Sequence, residues 1–149
     1  MAGAALWLAA LLAFSLVACG EKSPTSQEQQ SVETEVLRDT TTASGLHLID
    51  LVRGHGPAPR TGDVVEVHYT GQFEDGRVFD TSRDGTPLQF VLGRGYVIAG
   101  WDEGIALMRE GGQARLIIPP DLAYGERGAG EVIPPNATLV FEVELVRVR

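Results

Sequence analysis

The chain has 149 residues, with 44% hydrophobic and 21% charged side chains. That bounds it to one globular domain and excludes fibrous or wholly disordered classes. Its formal charge of −8 and the lack of a basic stretch argue against nucleic acid as a partner, and a single Cys excludes an intrachain disulfide or a CxxC site. His47, His55 and His68 are scattered without an HExxH spacing, so a catalytic zinc is not expected.

Residues 1–18, MAGAALWLAALLAFSLVA, carry no charge. The run has the length of a membrane span, and equally the shape of a secretory apolar region ending in small residues. The residues at its end distinguish the two readings. Leu16-Val17-Ala18-Cys19 resembles the lipobox of bacterial lipoproteins, although the segment before it lacks Lys or Arg. The resemblance implies cleavage before Cys19 and lipidation of that residue. It places the protein in the cell envelope, lipid-anchored and facing the periplasm or exterior. Gly20 is not Asp, which in a two-membrane envelope favours outer-membrane sorting.

Residues 19–44 then comprise the lipidated Cys and a flexible polar tether. Ser, Thr, Gln and Glu dominate from 20 to 44 and aromatics are absent. Such a segment buries too little to offset its ordering entropy. No dimerisation segment is read here, so a monomer is expected.

Residues 45–149 form the domain. Strands are expected at 46–52, 63–70, 88–92, 114–118 and 138–148. In the second, Val65, Val67 and Tyr69 alternate with Glu66, His68 and Thr70. In the last, Leu139, Phe141, Val143 and Leu145 alternate with Glu142 and Glu144. Glu74-Asp75-Gly76-Arg77 reads as a turn. Such mixed faces indicate an antiparallel sheet with one wet side.

One segment breaks the two-residue period. Ile98, Trp101, Ile105 and Met108 recur at helical spacing, with Asp102 and Glu103 in the first turn, Arg109 in the last and Gly111-Gly112 as the stop. Gly100 and Gly104 weaken this helix and leave one face of the Trp101 ring uncovered. The fold class is α+β: a curved antiparallel sheet with one short helix packed against it.

Conventional catalysis has no evident cast. Ser44 and Ser82 lack a visible partner, and His68 reads as a structural or surface residue. Glu74-Asp75 and Asp102-Glu103 read as solvated acids. What remains is a set of aromatics: Tyr69, Phe73, Phe79, Phe90, Tyr96, Trp101, Tyr124 and Phe141.

Their surroundings read VHYTGQFEDGRVFDTS (67–82), PLQFVLGRGYVIAGWDEGI (87–105), GGQARLIIPPDLAYG (111–125) and IPPNATLVFEVELV (133–146). In order and spacing these four segments resemble the FK506-binding class of peptidyl-prolyl isomerases across residues 45–149. The resemblance implies a five- or six-stranded antiparallel sheet wrapped around one short helix, with an apolar cleft between them. It implies Trp101 as the floor, Tyr69, Phe79, Phe90 and Phe141 as walls, and Val97 and Ile98 as the lip. The Ile98 N–H and the Tyr124 hydroxyl would donate to substrate carbonyls. Asp80 would be hydrogen-bonded beside the cleft rather than act as a base. Val132 and Ile133 would belong to a flap, in which Ala129 replaces a His of well-known eukaryotic members. Proline-containing polypeptides would be substrates, FK506 or rapamycin inhibitors, and no cofactor would be needed. A proline-binding or chaperone module with little turnover is the alternative.

Overall fold

The computed structural model describes residues 37–149. The expected signal segment 1–18, Cys19 and the tether through residue 36 lie outside the described residues. The described strands are β1 (Asp39–Thr41), β2 (His47–Val52), β3 (Val64–Phe73), β4 (Val78–Thr81), β5 (Leu88–Val91), β6 (Gln113–Ile118) and β7 (Leu139–Val148), with one α-helix, α1 (Ala99–Ala106). Two single-turn 3-10 helices, Pro120–Leu122 and Gly125–Arg127, follow β6.

All seven strands form one antiparallel sheet in the order β1-β2-β6-β7-β3-β4, and β5 also pairs with β3. The long strands sit at the centre. β7 pairs with β6 on one side, from Gln113 opposite Glu144 to Ile118 opposite Leu139. On its other side it pairs with β3 as far as Phe73 opposite Leu139. Their alternation decides which face is buried: Val65 and Val67 of β3, Leu116 and Ile118 of β6, and Leu139, Val143 and Leu145 of β7 are all essentially inaccessible. Glu142 and Glu144 lie on the opposite face, paired with Arg115 and Arg83 at 2.7 and 3.0 Å. Such half-exposed ion pairs contribute little each and mainly keep that face soluble.

The helix supplies the other layer. Trp101 and Ile105 of α1 and Met108 just after it are buried in the same core as the inward sheet residues. The two internal glycines have a packing reason. A Cβ on Gly100 would lie 2.5 Å from Ile118 Cγ2, and one on Gly104 would lie 2.8 Å from Leu116 Cδ1. Both glycines therefore face β6 and let the helix approach it. This corrects the expectation that they uncover the Trp101 ring. The helix also stops at Ala106, so Arg109 falls beyond its last turn, where Nη1 donates to the Gly56 carbonyl at 3.2 Å.

Two strands escape the sequence reading. β4 is a short edge strand with three exposed residues of four. β1 lies inside the segment expected to be a tether. It pairs from Asp39 opposite Ile49 to Thr41 opposite His47. Arg38 adds an ion pair to Asp50 at 3.0 Å, and Ser44 donates to the Glu103 carboxylate at 2.7 Å. The folded domain thus includes residues before 45.

Candidate active site

α1 begins at the end of the loop that follows β5. Ile98, extended at φ −61° and ψ 149°, precedes it without a side-chain cap. Asp102 instead ties the loop to the helix, its carboxylate accepting hydrogen bonds from Gly93 N–H at 2.8 Å and Gly95 N–H at 3.0 Å. Asp102 and Glu103 are therefore bonded structural acids, not the solvated pair expected. Asp102 fixes the loop that carries Tyr96, Val97 and Ile98 to the first turn of the helix.

Between this loop and the sheet lies a cleft of about 180 Å³ lined by Tyr69, Phe79, Asp80, Leu88, Tyr96, Val97, Ile98, Trp101, Tyr124 and Phe141. Trp101 is only 4% exposed. The rings of Tyr69 and Phe141 meet it edge-on at 4.9 and 5.2 Å, and Phe79 stands edge-on to Phe141 at 5.6 Å. Edge-to-face contacts suit the ring quadrupoles and leave little freedom to reorient. The Trp101 indole N–H is buried and has no acceptor, so packing rather than hydrogen bonding holds that ring. Gly71 of β3 makes room for the walls, since a Cβ there would lie 2.7 Å from both Phe141 and Phe79 ring atoms.

The polar groups are few. The Tyr69 hydroxyl donates to Asp80 Oδ2 at 2.6 Å, joining β3 to β4. Burial, reinforced by that bond to the Asp80 carboxylate, pushes the Tyr69 hydroxyl up to about 12. Tyr69 thus stays a neutral donor. Ser82 accepts a hydrogen bond from Tyr69 N–H at 3.0 Å and lies 3.2 Å from His68 Nδ1. Both residues are structural, and Ser82 has the partners that the sequence does not reveal. Among the described residues, neither the Ile98 N–H nor the Tyr124 hydroxyl has a protein partner, and Tyr124 is 42% exposed.

One expected wall residue, Phe90, and the two expected flap residues are absent from the cleft lining. Phe90 is buried and packs on Trp101 at 6.0 Å between ring centres, supporting the floor instead of forming a wall. Ile133 is buried in the core, and its backbone pairs reciprocally with Ala129 at 2.9 and 3.0 Å. Val132, beside it, is 59% exposed. Leu88 and Tyr96 line the cleft although the sequence reading gives them no role there. The available signals are positional: Leu88 lies two residues before Phe90 on the same short strand, and Tyr96 directly precedes the lip.

The arrangement is a shallow aromatic cleft with hydrogen-bond donors at its rim. The profile of FKBP-type peptidyl-prolyl cis-trans isomerases matches residues 56–146. FK506-binding protein 1 of Dictyostelium discoideum is 53% identical over 103 residues, covering 68% of this chain and 96% of that protein. Peptidyl-prolyl cis-trans isomerase Fkbp12 of Drosophila melanogaster is 50% identical over 106 residues, covering 70% and 98%. The crystal structure of AtFKBP13 superposes with a TM-score of 0.70 at 41% identity, covering 75% of this chain and 99% of that one. The chain belongs to the FKBP-type peptidyl-prolyl cis-trans isomerase family. It is a rotamase, acting on the peptide bond that precedes proline.

Proposed function

We propose that rotation occurs on the Trp101 floor of the aromatic cleft, in a lipid-anchored protein that serves secreted or envelope polypeptides. The observation that carries the site is the Trp101 ring, framed edge-on by Tyr69 and Phe141 and supported by Phe90. The lipobox-like Leu16-Val17-Ala18-Cys19 supports the anchor.

The chemistry originates in the amide. Resonance holds the peptide C–N bond planar behind a barrier of ~18–20 kcal/mol. In the twisted state the nitrogen lone pair no longer delocalises into the carbonyl, and the charge separation falls. An apolar cleft therefore disfavours the planar amide more than the twisted one, a preference for the transition state over the ground state. The proline ring stacks over Trp101 between Tyr69, Phe79 and Phe141. The Ile98 N–H and Tyr124 hydroxyl donate to carbonyls on either side and hold the chain in a turn. Asp80 restrains Tyr69 by accepting its hydroxyl proton in a hydrogen bond. No bond is broken and no proton changes owner. The residue before proline meets Leu88 and Tyr96, which favours an apolar side chain there.

Kinetics on a Xaa-Pro peptide test the floor. Trp101→Ala should lower kcat/KM by ~2 kcal/mol or more, the scale of a buried aromatic anchor and about thirtyfold in rate. Trp101→Phe should recover part of the loss, because an aromatic face remains. Equal kcat/KM for Trp101→Ala and wild type would make Trp101 an ordinary core residue.

A further inference from the structure

Asp80 is the one residue lining the aromatic cleft that carries a charge. It is exposed, and its Oδ2 accepts the Tyr69 hydroxyl at 2.6 Å. That donor is neutral, so the bond orients the carboxylate without cancelling its charge. The arginines nearest in sequence are turned elsewhere. Arg77 Nε donates to Asp75 Oδ2 at 2.8 Å, and its guanidinium lies 5.0 Å from the centre of the Phe73 ring. Arg83 Nη1 reaches Glu144 Oε2 at 3.0 Å. Among the described residues no arginine forms an ion pair with Asp80. The charge is felt inside the cleft: after burial, the Asp80 carboxylate is what holds the Tyr69 hydroxyl up to about 12.

A carboxylate fixed in the wall of an apolar cleft, reachable and without a counter-ion, receives a cation that the ligand brings. The apolar lining does not oppose this. Lysine and arginine lay their methylene stems along apolar surface while the charged head stays at the edge. Resting on the proposed catalysis over Trp101, we infer that Asp80 is a specificity-determining residue, favouring polypeptides with lysine or arginine next to the isomerised proline. Asp80 is within reach of that proline because Tyr69, to which it is bonded, meets the Trp101 ring at 4.9 Å. A basic neighbour gains an ion pair there, and an acidic one meets like charge.

The test is protease-free NMR exchange spectroscopy on the full chain in non-ionic detergent, with peptides that carry lysine, norleucine or glutamate beside proline. One series places that residue before proline and the other after it. Norleucine matches the lysine stem without the ammonium, so the lysine-to-norleucine ratio of kcat/KM reads the charge. A ratio of about fivefold is expected at low salt in at least one series, with glutamate below norleucine. It should approach one at about 1 M salt, where the Debye length is about 3 Å. Asp80→Asn should remove the preference. Glu74→Gln, the same charge change in the exposed turn after β3, should keep it. Each ratio is taken within one protein, so a loss of basal rate in Asp80→Asn cancels. The wild-type salt dependence stands even if that variant fails to fold. Lysine peptides no faster than norleucine peptides in both series overturn the proposal, as does a ratio that Asp80→Asn leaves intact, and neither result touches the Trp101 cleft. No acceleration of any peptide overturns both.

Discussion

Trp101 and Tyr69 show how single side chains define the cleft. Trp101 is set by a helical period and Tyr69 by a strand period, and the two rings meet 4.9 Å apart. Tyr69 also carries a measurable electrostatic signature. Its hydroxyl is pushed up to about 12 by burial and by the Asp80 carboxylate, against a usual value of 10.0. Below that usual value tyrosine is protonated in both folded and unfolded chains, and the Tyr69 contribution to stability is fully present. As pH rises from about 10 to about 12 the unfolded chain releases this proton first, so stability falls across that window. Denaturant melts over this range should show a steeper decline for wild type than for Tyr69→Phe. Parallel profiles for the two proteins would mean that Tyr69 is not held neutral by the fold. Where single residues differ from expectation, the causes are physical. Alternation places Phe90 on the inward face, but it cannot tell cleft lining from the layer behind it. The Asp102 carboxylate has the position of a helix-start acid, and its bonds to Gly93 and Gly95 depend on a loop shape that spacing does not encode.

At the scale of elements, legibility tracks length and amphipathicity. β3, β6 and β7 are readable because one face of each enters the core and the other meets water. β1 is not, because Asp39-Thr40-Thr41 has no apolar face and becomes a strand only by pairing with β2. β4 is hidden for a similar reason, since its pairing with β3 leaves it mostly exposed at an edge. The helix is legible in place, while the role of its glycines is not. Propensity alone says that Gly100→Ala should strengthen the helix by up to ~1 kcal/mol. The 2.5 Å approach to Ile118 says the opposite, and overpacking of this kind costs ~1–3 kcal/mol. Net destabilisation is expected in thermal or denaturant melts. A more stable Gly100→Ala protein would show that the helix does not rest on β6 as described.

Among the described residues, one sheet-and-helix domain carries a cleft for proline, and its first strand begins at Asp39. The chain preceding it holds the lipobox-like segment ending at Cys19. Cys19→Ser should move the protein out of the membrane fraction or leave it with an uncleaved signal segment. Labelling with a radioactive fatty acid is the readout, and equal label on the variant and wild type would exclude lipidation at Cys19. The isomerase cleft should work regardless of that anchor, because every lining residue comes from β3 onward. The most direct measurement of the central claim is the rate of Xaa-Pro isomerisation in a protease-coupled peptide assay, with and without saturating FK506. Acceleration that FK506 abolishes is predicted, because the inhibitor and the proline ring compete for the Trp101 floor. Full acceleration at saturating FK506, or equal rates with and without the protein, would contradict the account.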